Sequence, residues 1–120
     1  MSTTIDIFRN VDYGVQVPAG TVIFSEGDPG DQAYVVQHGK VEIQVKGRTL
    51  EILEEGGIFG EMALIDNEAR SATVIAQTDA TIVPIDRHRF MFLVQQTPNF
   101  AVKVMQVMSA RLRAIHEMTI

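Results

Sequence analysis

Apolar and polar residues alternate through much of the chain. Val41, Ile43 and Val45 stand against Lys40, Glu42, Gln44 and Lys46, while Val11, Tyr13, Val15 and Val17 alternate with polar residues or glycine. A period of two marks a strand with one face on a core and the other in water. Further strands are expected over 21–25, 33–37, 48–53, 72–77 and 80–85. Turn chemistry separates them at Pro18-Ala19-Gly20, Asp28-Pro29-Gly30-Asp31, His38-Gly39, Lys46-Gly47 and Gly56-Gly57. Glu26-Gly27-Asp28 reads as a turn between strands, with Gly27 and Gly30 free to take positive φ and Glu26 in a structural role. Many short strands with regular turns predict an antiparallel sandwich or jelly roll of about 11–85.

The period then changes. Asp86 is placed to cap a helix over 87–95, and Thr97-Pro98 supplies a cap and a first-turn proline for a longer helix over 99–116. Along that second helix Ala101, Met105, Met108, Leu112 and Ile115 recur at spacings of four, three, four and three. Such a stripe packs either on the parent domain or against a second helix in a dimer.

Composition narrows the class. A chain of 120 residues is near the commonest size for one domain and buries roughly 65% of its unfolded surface, so a single domain over 1–120 is expected. There is no cysteine, which excludes disulfides and thiolate metal sites and suits a cytoplasmic setting. The first residues carry neither a basic start nor a long apolar run, so no signal peptide or membrane span is expected. A net charge of −5 opposes a nucleic-acid-binding role. Lys103, Arg111 and Arg113 approach a basic cluster on the last helix and read as a solvated face.

No catalytic constellation emerges. His38 stands alone beside a turn glycine, so the paired-histidine metal site that some β-barrels carry is not expected. Ser25-Glu26, Ser71 and His88 do not form a recognisable nucleophile, base and orienting acid. The chain is expected to have no enzymatic activity and no metal or other cofactor.

The most informative segment is Phe59-Gly60-Glu61-Met62-Ala63-Leu64, followed by Arg70-Ser71-Ala72-Thr73-Val74. Gly60 lets backbone approach a ligand, and the segment from Glu61 to Ile65 is long enough for one or two helical turns whose first amides face an anion. Arg70 supplies a planar guanidinium, which donates two parallel hydrogen bonds to a phosphate. Glu61 would repel that phosphate but accepts well from a neighbouring sugar hydroxyl. Glutamate with arginine therefore points to a ribose phosphate; the ordinary alternative is a solvated Glu61–Arg70 surface pair.

The segment 19–31, the run Tyr34-Val35-Val36-Gln37-His38-Gly39-Lys40-Val41 and the 59–74 segment follow one another in an order that resembles the cyclic-nucleotide-binding domain family, from about Val15 to about His116. The resemblance implies a jelly-roll barrel, or double-stranded β-helix, carrying a short phosphate-binding helix and two C-terminal helices. It also implies that 59–74 is a phosphate-binding cassette. Glu61 with Gly60 then serves the ribose, while Arg70, the backbone amides of Ala63 and Ala72, and Ser71 serve the cyclic phosphate. Met62, Arg111 and Ile115 fall near the base. The implied ligand is cyclic AMP, with cyclic GMP as the alternative.

Two positions depart from the family pattern. Ala69 stands where proline is frequent, which should loosen the loop without removing a contact. Ile115 and His116 stand where the catabolite-activator branch places polar contacts to adenine, so Ile115 covering the purine or Arg111 stacking on it is expected instead. The family uses this last helix as a lid and, in that branch, as a dimer interface. Partners are therefore a cyclic nucleotide and an unidentified effector protein or a second copy of the chain. The competing expectation is an interaction module that kept the fold and lost the ligand, with Glu61 and Arg70 paired to neighbours.

Overall fold

The computed structural model describes residues 3–119. Its strands are β1 (Val15–Val17), β2 (Val22–Phe24), β3 (Gln32–His38), β4 (Val41–Val45), β5 (Arg48–Leu53), β6 (Ile58–Phe59), β7 (Thr73–Ala76) and β8 (Ala80–Asp86). The helices are α1 (Met62–Ile65), α2 (Arg87–Gln96) and α3 (Pro98–Thr119). The strands form two four-stranded antiparallel sheets, ordered β1-β8-β3-β6 and β2-β7-β4-β5. The architecture is thus mainly β with C-terminal helices.

Alternation explains how the layers assemble. Val36, Phe59, Ala80 and Ile82 of the first sheet share one buried cluster with Val41, Ile43, Leu53 and Val74 of the second, which is the space between the sheets. Ala33, Val35, Val83 and Ile85 point the other way, because successive strand residues alternate faces. They pack with Phe90, Leu93, Phe100, Val104 and Val107 of α2 and α3. The central strands β3 and β8 of the first sheet are therefore buried on both faces. This pair reads as a nearly continuous apolar run, in register from Gln32↔Asp86 to His38↔Thr81 with an irregularity between Val36 and His38.

Asp86 ends β8 and starts α2: its Oδ1 accepts from the Arg89 amide at 2.8 Å, as the expected cap requires. Thr97 closes α2 through its amide to the Leu93 carbonyl, and Pro98 opens α3. The two helices are locked edge to face by Phe90 and Phe100, 5.6 Å between ring centroids.

Three expectations are corrected. The alternation at Val11 and Tyr13 does not extend the first strand, which covers Val15–Val17 alone. The buried Gln37 amide donates instead to the carbonyls of Phe8, Arg9 and Val11 at 3.0, 3.1 and 2.8 Å, holding this segment as a loop. The short strand β6 was not expected. Finally, the face of α3 that packs on the sheet is Phe100, Val104 and Val107, one position before the expected stripe. Of that stripe, Met108 packs against the edge of this core, Met105 and Leu112 are exposed, and Met108, Leu112 and Ile115 border a cavity.

Candidate functional site

The chain leaves β6 through Gly60, whose φ of +77° turns it sharply into α1. A Cβ there would meet Arg70 Nη1 at 2.8 Å, so the glycine serves both the turn and the passage of a side chain. Glu61 follows with the N-cap role and only 3% exposure. The loop after α1 carries Arg70 back to the same place. Its amide donates to Asp28 O and its carbonyl accepts from the Gly27 amide, both at 2.8 Å, so the β2–β3 turn fixes its backbone.

Arg70 is 7% exposed. Its Nη1 donates to Gly60 O at 3.2 Å, and its guanidinium carbon lies 4.0 Å from the centroid of the Phe24 ring. Phe24, Tyr34 and Phe59 form the aromatic floor beneath it. Among the described residues, its Nε is the one buried side-chain nitrogen or oxygen lacking a hydrogen-bond partner. Burial pushes this guanidinium below its ordinary value, opposed by the negative potential of Tyr34, Asp31, Asp28 and Glu61. An arginine remains charged nonetheless. The site therefore holds a desolvated cation with an unused donor.

Gly30 corrects another expectation. Its φ is not positive; its place is set by Arg70, because a Cβ would lie 2.1 Å from Nε and 2.3 Å from Cζ. Gly27, in contrast, does take a φ of +90°. Glu26 is structural: its Oε1 accepts from the Lys46 amide at 3.1 Å.

Gly60, Glu61, Met62, Ala63, Arg70, Ser71, Ala72, Arg111 and Ile115, the residues singled out from sequence, all line one cavity of about 160 Å³. Its remaining wall is largely apolar, from Ile43, Val45 and Leu50 on the second sheet to Met108 and Leu112 on α3. A larger cleft of about 480 Å³ lies between α3 and β5, but its single lining cation is Arg111. That residue is already paired.

Arg111 is neither solvated nor free to stack. It is 12% exposed at the side chain and donates through Nη1 to Glu61 Oε1, through Nε to Glu51 Oε1 at 3.0 Å and through Nη2 to Ile58 O. Sequence reasoning missed Phe24, Gly30 and Glu51 as members or supports of the site. Glu51 carries no local signal, since its partner lies 60 positions away. Among the described residues, no group of three or more His, Asp or Glu side chains is arranged to hold a metal ion, and no helix is long and apolar enough to cross a membrane.

Residues 14–97 match the family model of the cyclic nucleotide-binding domain. The cyclic AMP receptor protein of Thermus thermophilus is 36% identical over 101 residues, covering 80% of this chain and 47% of the receptor. The cGMP-dependent protein kinase egl-4 of Caenorhabditis briggsae is 34% identical over 87 residues, covering 72% of this chain and 12% of the kinase. Among solved structures, cAMP-bound PfPKA-R (141–441) superposes with a TM-score of 0.82 at 22% identity, over 97% of this chain and 44% of the other, a likeness of fold. The chain spans less than half the length of these curated relatives. With its cassette of Gly60, Glu61 and Arg70 folded around one cavity, this chain belongs to the cyclic nucleotide-binding domain family.

Proposed function

We propose that the chain is a non-catalytic sensor domain that reversibly binds a cyclic purine nucleotide, with cyclic AMP preferred, in a jelly-roll pocket covered by α3. The observation that carries this reading is the buried Arg70 guanidinium, whose Nε has no partner and which borders the same cavity as Glu61. A monoanionic cyclic phosphate supplies the missing acceptor and countercharge, each charge-assisted hydrogen bond contributing roughly 1.5–3 kcal/mol. The Ser71 hydroxyl and the amides of Ala63 and Ala72 donate to the remaining phosphate oxygens. Glu61, flanked by Gly60, accepts from the ribose 2′-hydroxyl, and Met62 and Ile115 lie toward the base.

The cavity also supports a switch. At about 160 Å³ it is smaller than the ~300–1,000 Å³ usual for small-molecule sites, so a nucleotide displaces the cover of Met108, Leu112 and Ile115. Because those residues ride on α3, occupancy passes to its outer face, where Val102, Met105 and Leu112 are 45%, 58% and 58% exposed. That face is the one offered to an effector protein or to a second copy of the chain.

One observation favours the competing reading of a ligand-free interaction module: Glu61 is already paired with Arg111. Titration calorimetry with cyclic AMP and cyclic GMP separates the two. The wild-type chain is expected to bind, and Arg70→Leu to abolish binding while leaving the melting temperature no lower, since it removes a buried charge. Glu61→Ala should weaken cyclic AMP far more than it weakens 2′-deoxy cyclic AMP. No binding by the wild-type chain would leave the interaction module standing.

A further inference from the structure

Val22 and Phe24 both belong to β2, and in a regular strand they would share a face. Val22 is 52% exposed, whereas Phe24 packs on the buried cluster between the sheets and borders the cavity. A register shift separates them: Val22 stands opposite Ile75 and Phe24 opposite Val74, two steps along β2 against one along β7. An extra residue of this kind re-aims the side chain beside it. Here it turns the Phe24 ring inward against the guanidinium of Arg70, with 4.0 Å between Cζ and the ring centroid.

We propose that Phe24 is a positioning residue for Arg70, its ring carrying the guanidinium by the face so that the donor edge stays open for an anion. The inference rests on the binding reading above and adds to it a residue that sets affinity. A buried cation needs a partner. Asp28, Asp31 and Glu61 all act on Arg70 through their negative potential, yet among the described residues none of them is ion-paired with it. A carboxylate would occupy donors in the plane of the guanidinium. An aromatic ring stabilises the same charge from one face and takes none of them. Among the described residues, Nη1 alone finds an acceptor, the Gly60 carbonyl, and the buried Nε has none. The cation is held while donors remain unspent.

One segment fixes ring and cation together. Directly after Phe24, Ser25 and Asp28 close a turn, the Ser25 amide donating to Asp28 Oδ2 and the Asp28 amide to the Ser25 carbonyl, both at 3.0 Å. The same turn holds the Arg70 backbone through Gly27 and Asp28, at 2.8 Å each. The ring itself is packed by Phe59 and Tyr34, whose centroids lie 6.0 and 6.4 Å from its own. A Cβ on Gly60 would meet Phe24 Cε2 at 3.4 Å and Arg70 Nη1 at 2.8 Å, so ring, guanidinium and cassette turn converge on one point. Without the π face, the guanidinium is free to swing toward Asp28 or Asp31. An anion must then displace a carboxylate before it binds, and affinity falls.

The test replaces Phe24 in the full chain by mono-, di- and trifluorinated phenylalanine, introduced at that codon alone, alongside Phe24→Leu. Fluorine withdraws negative charge from the ring face in steps and nearly keeps its shape, so packing is held constant while the attraction for a cation fades. Affinities for cyclic AMP and cyclic GMP are measured by titration calorimetry, with circular dichroism to verify folding. Affinity should fall with each added fluorine. Phe24→Leu, which keeps an apolar side chain but no π face, should lose roughly two- to thirtyfold, the range of a cation–π contact from exposed to desolvated sites. A role confined to packing would not follow the ring's charge. Affinity that stays flat or rises across the fluorinated series, with the wild-type chain binding, overturns the proposal and leaves the binding reading in place. If Phe24→Leu does not fold, the fluorinated series decides alone. Failure of the wild-type chain to bind either nucleotide overturns the binding reading, and the proposal with it.

Discussion

Replacing Gly30 by alanine separates the proposed phosphate contact of Arg70 from the fold. Gly30 has an ordinary φ, so its backbone accepts a side chain, but the new Cβ would fall 2.1 Å from Nε, 2.3 Å from Cζ and 2.5 Å from Nη2 of Arg70. Restoring ordinary contact at 3.4 Å moves the guanidinium by about 1.3 Å. It sits at the end of a flexible side chain, so the fold survives. The loss of backbone freedom in the unfolded chain even returns about 0.4–1 kcal/mol. A bidentate contact does not tolerate such a shift, and losing one or two charge-assisted bonds at roughly 1.5–3 kcal/mol each lowers cyclic nucleotide affinity by at least about tenfold. The displacement also carries Arg70 off the Phe24 ring, 4.0 Å beneath it. Titration calorimetry paired with a thermal melt checks both halves. Wild-type affinity in Gly30→Ala would refute the placement of Arg70 as the phosphate ligand, and a collapsed melting transition would refute the claim that Gly30 serves the site rather than the backbone.

Other consequences are more local. Gln37→Leu removes the donor shared by the carbonyls of Phe8, Arg9 and Val11. It should cost about 1–3 kcal/mol in urea unfolding and speed hydrogen exchange over residues 5–11; unchanged exchange there would rule out the amide as their anchor. Glu42 accepts from Thr49 and from Gln44, and these bonds hold its carboxyl below the ordinary 4.5, the Thr49 bond most strongly. Because the folded value is the lower one, this stabilisation is present above pH 4.5 and disappears as pH falls through the folded value. Glu42→Gln should therefore lower stability near about pH 7 and leave it unaltered near about pH 2, as urea titrations at the two pH values would reveal.

How much of this was legible in the sequence follows from the range of the interactions involved. Strands β3 to β5, β7 and β8 and both long helices are written in local period and caps, which is why Asp86 and Thr97-Pro98 mark their boundaries closely. Strand β6 has two residues between glycines and exists because β3 pairs with it at Tyr34↔Phe59 and Val35↔Ile58. The lost strand at Val11 and Tyr13 has the same cause in reverse, since a single distant amide from Gln37 competes for its carbonyls. On α3 two stripes at helical spacing lie side by side, and the choice between them is made by Phe90 engaging Phe100. Cassette residues were visible because their chemistry is concentrated in a short segment. Gly30 and Glu51 act across the fold on Arg70 and Arg111, so local pattern does not distinguish them from turn and strand residues.

The two charges of the cassette differ in a way that bears on why it persists. Glu61 already has its countercharge within the chain, in Arg111. Arg70 does not. It is buried to 7% exposure, donates one bond to the Gly60 carbonyl, rests on Phe24 and leaves Nε unmatched. Cation–π contact recovers about 0.5–2 kcal/mol, less than the several kcal/mol that burying an ion costs. A domain kept only for its fold would gain stability by exchanging Arg70 for an apolar side chain against the Phe24–Tyr34–Phe59 floor. Three features instead maintain the cation: Gly30 and Gly60, whose missing Cβ atoms make room for it, and the Gly27–Asp28 turn, which bonds its backbone. The unmatched polar group therefore lies at Arg70 and not at Glu61. An anion is thus the component whose arrival would change the energy of the site most, since Glu61 already has a cation in Arg111 and the Arg70 Nε has no acceptor.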